Sequence, residues 1–149
     1  GTLVIAAFAC FDMIDGAMAR EAGRHSAWGA FLDSTLDRIG DAAVFTGLIL
    51  YFLGPGDDSL LAGVSLWCLV VGALVSYVKA RAEGLGLQAN VGIAERADRL
   101  FVVLFATAFS GLGVPYLLPA ALLVLAVASA VTVVQRMVVV HRQTSGARL

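Results

Sequence analysis

Four carboxylates, Asp12, Asp15, Asp33 and Asp37, lie in or beside two strongly apolar segments of this chain. A carboxylate in hydrocarbon costs at least a few kcal/mol, so an acid retained there signals a task and a cationic partner. The fold must therefore shelter charge inside an otherwise oily bundle. Composition agrees: 60% of the 149 residues are hydrophobic and 14% are charged, whereas a soluble domain is about half apolar and a quarter charged. The expected class is an all-α polytopic membrane bundle, one domain over residues 1–149.

Five apolar segments are legible, at about 2–19, 27–53, 60–82, 93–109 and 116–140. The first, at about 1.5 Å per residue, reaches roughly 27 Å, enough to span a bilayer core. Gly54-Pro55-Gly56-Asp57-Asp58 and Gly111-Leu112-Gly113-Val114-Pro115 break the pattern as turns. A short polar tail is expected to close the chain. The opening Gly1-Thr2-Leu3 lies inside an apolar run with no methionine or basic leader, so an amino-terminal part is expected to be missing. Cys10 and Cys68 sit in apolar runs and read as small core residues. No basic tract supports nucleic-acid binding.

All ten Lys and Arg residues fall on one side of a five-segment topology: Arg20, Arg24 and Arg38, then Lys79, Arg81, Arg96 and Arg99, then Arg136, Arg142 and Arg148. The positive-inside rule makes that side cytoplasmic. Nine of the eleven acids lie there too, all but Asp57 and Asp58. A polar cavity open to the cytoplasm accommodates them.

At 100° per residue, Asp12, Asp15, Gly16 and Ala19 share one helical stripe, and Gly29, Asp33 and Asp37 share another. A short connection makes the two segments antiparallel neighbours with facing acids. Hard oxygen ligands suit Mg²⁺, Mn²⁺ or Ca²⁺, with positions left for phosphate and water. Glu21, Asp57, Asp58 and Glu83 read as capping or snorkelling groups, and Asp41 is placed with them. Arg96 stays open between a phosphate contact and a positive-inside marker.

The pattern Asp12-x-x-Asp15-Gly16-x-x-Ala19-Arg20-(eight)-Gly29-x-x-x-Asp33-x-x-x-Asp37 resembles, at every fixed position, the signature of the CDP-alcohol phosphatidyltransferase family. That resemblance implies a two-metal centre (Mg²⁺ or Mn²⁺) with Asp12, Asp15, Asp33 and Asp37 as ligands, Asp37 also being the general base. Asp12, Gly16, Ala19, Arg20 and Gly29 would bind the CDP-lipid, CDP-diacylglycerol. The family has six membrane helices after a short amphipathic one, so this chain is expected to lack the first. Membrane lipid and a homodimeric partner are likewise implied.

Residues 76–83, 93–100 and 134–136 resemble blocks of the family's actinobacterial inositol-phosphate-using branch. By matching position, Ser76, Lys79, Arg81, Arg99 and Arg136 would hold myo-inositol 1-phosphate, which accepts the phosphatidyl group as CMP leaves. The implied setting is the bacterial plasma membrane, multi-pass, with the active site facing the cytoplasm. Glycerol 3-phosphate is the alternative acceptor. A cation or proton transporter is the alternative from another class, since intramembrane acids also mark ion pathways. It would move ions without releasing CMP.

Overall fold

A computed structural model describes residues 27–93 and 96–146, which form four helices: α1 (Ala27–Leu53), α2 (Ser59–Glu83), α3 (Arg96–Gly111) and α4 (Leu117–Gly146). The described residues contain no strand. The all-α expectation holds, and the second to fifth apolar segments each become a helix. The first segment, with Asp12, Asp15, Gly16, Ala19, Arg20 and Cys10, lies outside the described residues. Helix α4 continues through the expected polar tail to Gly146.

Helix α2 packs against both α1 and α4, and α4 also packs against α3. Both α2 and α4 are long and apolar enough to cross a membrane. Helix α1 is 27 residues long, but Asp33, Asp37, Arg38 and Asp41 interrupt its apolar character. Helix α3 has 16 residues, about 24 Å of rise, short of a hydrocarbon core of about 30 Å. Large apolar side chains such as Leu50, Leu60, Trp67, Phe101, Tyr116 and Val124 face outward. In water such a surface would aggregate; against lipid it is the ordinary exterior.

The interior is divided along its length. Phe45, Leu48, Phe52, Leu61, Ala62, Val103, Ala106, Leu118 and Leu122 pack into the apolar core. They fill the part of the bundle toward the turns at 54–58 and 112–116. Toward the opposite end buried polar residues, Asp41, Arg99, Ser129, Thr132 and Arg136, join the smaller Val71, Val75, Ala82 and Ala89. Ser65 donates to the Leu61 carbonyl at 2.8 Å and Thr132 to that of Ala128 at 2.9 Å, whereas the buried Ser129 hydroxyl has no hydrogen-bond partner among the described residues. Cys68 is fully buried, as a small core residue should be.

The α1–α2 turn follows from its residues. Gly56 sits where a Cβ would lie 3.1 Å from the Tyr51 carbonyl oxygen and 3.2 Å from the Phe52 Cα, so a side chain would press on backbone. Asp58 caps α2, its Oδ1 accepting from the Leu61 N–H at 2.9 Å. Replacing Asp58 by Ala should destabilise the bundle by about 1 kcal/mol. A melt in detergent micelles checks this, Asp58→Asn being the near-neutral control.

Candidate active site

Helix α1 carries Gly29, Asp33, Asp37 and Asp41 at successive four-residue steps. The stripe drifts toward the core face as it climbs: Asp33 is exposed, Asp37 is half-buried and Asp41 is buried, just before Phe45. Asp33 and Asp37 therefore share a face one turn apart near the mouth of the bundle.

Opposite them, the first turn of α3 supplies Arg96 and Arg99. Arg96 bridges two acids, its Nη1 pairing with Asp37 while its Nε donates to Asp41 Oδ1 at 3.3 Å. Arg99 is only 2% exposed, and its Nη2 donates to Asp41 Oδ2 at 3.5 Å. Arg38 Nη2 lies 3.7 Å from the same oxygen and 3.9 Å from Asp37 Oδ2. Three guanidiniums thus surround one buried carboxylate. The helices are thin where these arginines lie. A Cβ on Gly40 would stand 3.5 Å from Arg96 Nη2, and one on Gly72 would stand 3.4 Å from Arg99 Nε.

Placement at the centre of this cluster corrects the sequence reading of Asp41 as a helix-end group. It also makes Arg96 a partner of both acids. The missed signal was periodic: the Asp33–Asp37 step continues to Asp41 at the same spacing. A membrane-end acid and a buried hub look identical until the helix facing them is known.

The residues expected around the acceptor phosphate are not all brought together. Ser76 and Lys79 share the α2 face that carries Gly72, where Arg99 packs. Lys79 Nζ also lies 4.0 Å from Glu83 Oε1. Arg81, five residues beyond Ser76, lies about 140° farther round the helix. There it lines an open groove of about 350 Å³ with Tyr77, Met137 and His141, on the α4 side.

Arg136 is buried and ties three elements together. From α4, its Nη1 donates to the Val75 carbonyl of α2 at 2.7 Å, and its Nε donates to the Val91 carbonyl at 2.8 Å. Val91 belongs to the connection 84–93, which α4 grips at further points. Ile93 N–H donates to Thr132 Oγ1 at 3.2 Å, and Gln88 and Gln143 exchange two hydrogen bonds at 3.0 and 2.6 Å. Gly92, at φ +148°, lies so close to the Thr132 side chain that a Cβ would collide with it. This connection precedes α3 in the chain.

Two of the four expected metal ligands, Asp33 and Asp37, are described, and no group of three such side chains occurs among the described residues. The two fit a hard divalent ion in kind, as a carboxylate pair one turn apart with Asp33 open to the surface.

The sequence profile of the CDP-alcohol phosphatidyltransferase family matches residues 1–93. The phosphatidylinositol phosphate synthase of Streptomyces avermitilis is 50% identical over 99% of this chain and 63% of its own length. That of Cutibacterium acnes is 53% identical over 95% and 72% respectively. The chain thus spans between three fifths and three quarters of these relatives. Among solved structures, Mycobacterium tuberculosis phosphatidylinositol phosphate synthase with CDP-DAG bound superposes with a TM-score of 0.85 at 44% identity, over 94% of this chain and 72% of that one. The same enzyme in complex with manganese and citrate superposes with a TM-score of 0.85 over 68% of its chain.

The carbonyl contacts of Arg136 carry a stability consequence. Arg136→Ala removes two charge-assisted hydrogen bonds, one buried and one partly buried, and should cost about 3 kcal/mol. Gln143→Ala, at an exposed clasp, should cost less than about 1 kcal/mol. Hydrogen exchange over residues 84–93 checks both, with marked loss of protection expected only for Arg136→Ala.

Proposed function

The chain belongs to the CDP-alcohol phosphatidyltransferase family, and from that premise we propose its reaction. It transfers the phosphatidyl group of CDP-diacylglycerol to a hydroxyl of myo-inositol 1-phosphate, giving phosphatidylinositol phosphate and CMP. The observation that carries this reading is the pairing of Asp37 with Arg96, with Arg99 beside them on Asp41, at one end of an apolar bundle. A carboxylate able to take a proton stands beside fixed cations able to hold a phosphate. A transporter has no evident need of that pairing. The relatives named above, and the CDP-DAG bound in one of them, support the same assignment.

In this reading Asp37 removes the proton from the acceptor hydroxyl, whose oxygen attacks the β-phosphorus. The bond from that phosphorus to the bridging oxygen breaks, and CMP departs with the electron pair. Arg99, Ser76 and Lys79 bind the acceptor phosphate from one face of α2 and the start of α3. Arg136 and Arg81 complete the set proposed for the acceptor phosphate, Arg81 reaching it only from the α4 side of α2. Gly29, with Asp12, Gly16, Ala19 and Arg20, would admit the CDP moiety. Two Mg²⁺ or Mn²⁺ ions held by Asp12, Asp15, Asp33 and Asp37 would supply charge neutralisation of the diphosphate. A manganese-bound relative supports that choice of metal. Outward apolar surfaces on α2 and α4 suit the acyl chains. The protein acts as a single multi-pass domain over residues 1–149, a homodimer in a bacterial plasma membrane, with the polar end facing the cytoplasm.

An acceptor panel tests the assignment. Full-length protein in proteoliposomes, given CDP-diacylglycerol and Mg²⁺, should release CMP at least an order of magnitude faster with myo-inositol 1-phosphate than with glycerol 3-phosphate. The reverse preference rejects the acceptor and keeps the reaction class. Ion flux without CMP release rejects both. Asp37→Asn should lower kcat by about 10²–10⁴-fold while leaving nucleotide binding largely intact, checked by equilibrium binding of CDP. Near-normal turnover removes Asp37 from the chemistry.

A further inference from the structure

Asp41 has no role in the scheme above, yet it is the most buried acid among the described residues and the one with the most cations around it. Its two oxygens are divided between the arginines of α3: Oδ1 accepts from Arg96 Nε at 3.3 Å and Oδ2 from Arg99 Nη2 at 3.5 Å. Arg96 and Arg99 are three residues apart on one helix, so their like charges are neighbours and repel. A carboxylate placed between them offsets that repulsion and fixes both guanidiniums from the same point. The glycines at 40 and 72 leave room for the two side chains without adding a competing contact.

We propose that Asp41 is a positioning residue for acceptor recognition, holding Arg96 and Arg99 as one preorganised cationic unit for the phosphate of the acceptor alcohol. The proposal rests on the reading of this site as an acceptor-phosphate site. Asp41 touches neither the phosphate nor the reacting atoms; it acts through the two arginines. Arg96 is included although sequence resemblance assigned it no ligand, because it shares the hub with Arg99 and also reaches Asp37. That shared contact links the cation pair to the carboxylate proposed as base.

The test uses full-length protein in proteoliposomes with CDP-diacylglycerol and myo-inositol 1-phosphate. Asp41→Asn keeps the shape and removes the charge. It should raise KM for myo-inositol 1-phosphate by about ten- to a hundredfold, with KM for CDP-diacylglycerol and CDP affinity near wild type. Asp41→Glu should recover part of the loss. In an Arg96→Gln/Arg99→Gln background, Asp41→Asn should add little further rise in the acceptor KM, because its partners are already gone. An unchanged acceptor KM in Asp41→Asn overturns the proposal. So does an equal loss of both substrates, or a full additive effect in the double-arginine background, since either marks a purely structural acid. Failure of the wild-type protein to use any phosphorylated acceptor rejects the underlying reading instead, and is visible before any variant is made.

Discussion

The carboxylate of Asp41 among Arg38, Arg96 and Arg99 is the contact on which this end of the bundle depends. An unpaired acid so deep in an apolar bundle would cost several kcal/mol, and breaking a buried pair by removing one partner costs about 3–5 kcal/mol. With cations on several sides, attraction offsets desolvation and α1 is held to α3 by charge. Apolar packing is thinner at the polar end, where the buried apolar residues are the smaller Val71, Val75, Ala82 and Ala89. The division of the interior into an oily part and a charged part therefore also divides labour. The oily part packs the helices together, and the charged part joins α1 to α3 and places functional groups.

A second device serves the same end. The connection 84–93 is bound to α4 by backbone hydrogen bonds to side chains rather than by burial of large residues. Arg136 joins that connection to α2 as well. The Arg136 bonds are charge-assisted and at least partly buried, so they count for more than the exposed Gln88–Gln143 clasp. Helix α3, too short to span alone, starts from this anchored stretch.

Much of the fold was legible because its signals are local. Apolar runs, Gly-Pro turns and the lysine and arginine bias marked the helices now described as α1 to α4. Asp58 read as a capping residue and is one. Long-range pairing left no such mark. Asp41 looked like a helix-end acid, and Arg96 could have been a topology marker. Arg81 is close to Ser76 and Lys79 in sequence, yet helical rotation sets it on another face of α2. Sequence proximity and angular position are different quantities, and only the second decides contact.

The sequence by itself determined an all-α membrane bundle, its polar end, and the acid motif of a metal-dependent transferase family. Each is written in composition, periodicity or fixed spacing along one chain segment. Only the tertiary structure decided which of those charges meet. It set Arg96 between Asp37 and Asp41, made Asp41 a hub, and spent two of the Arg136 donors on backbone carbonyls. Those choices join residues 45 to 61 positions apart in sequence, where no local propensity reaches and helix packing alone sets the distance.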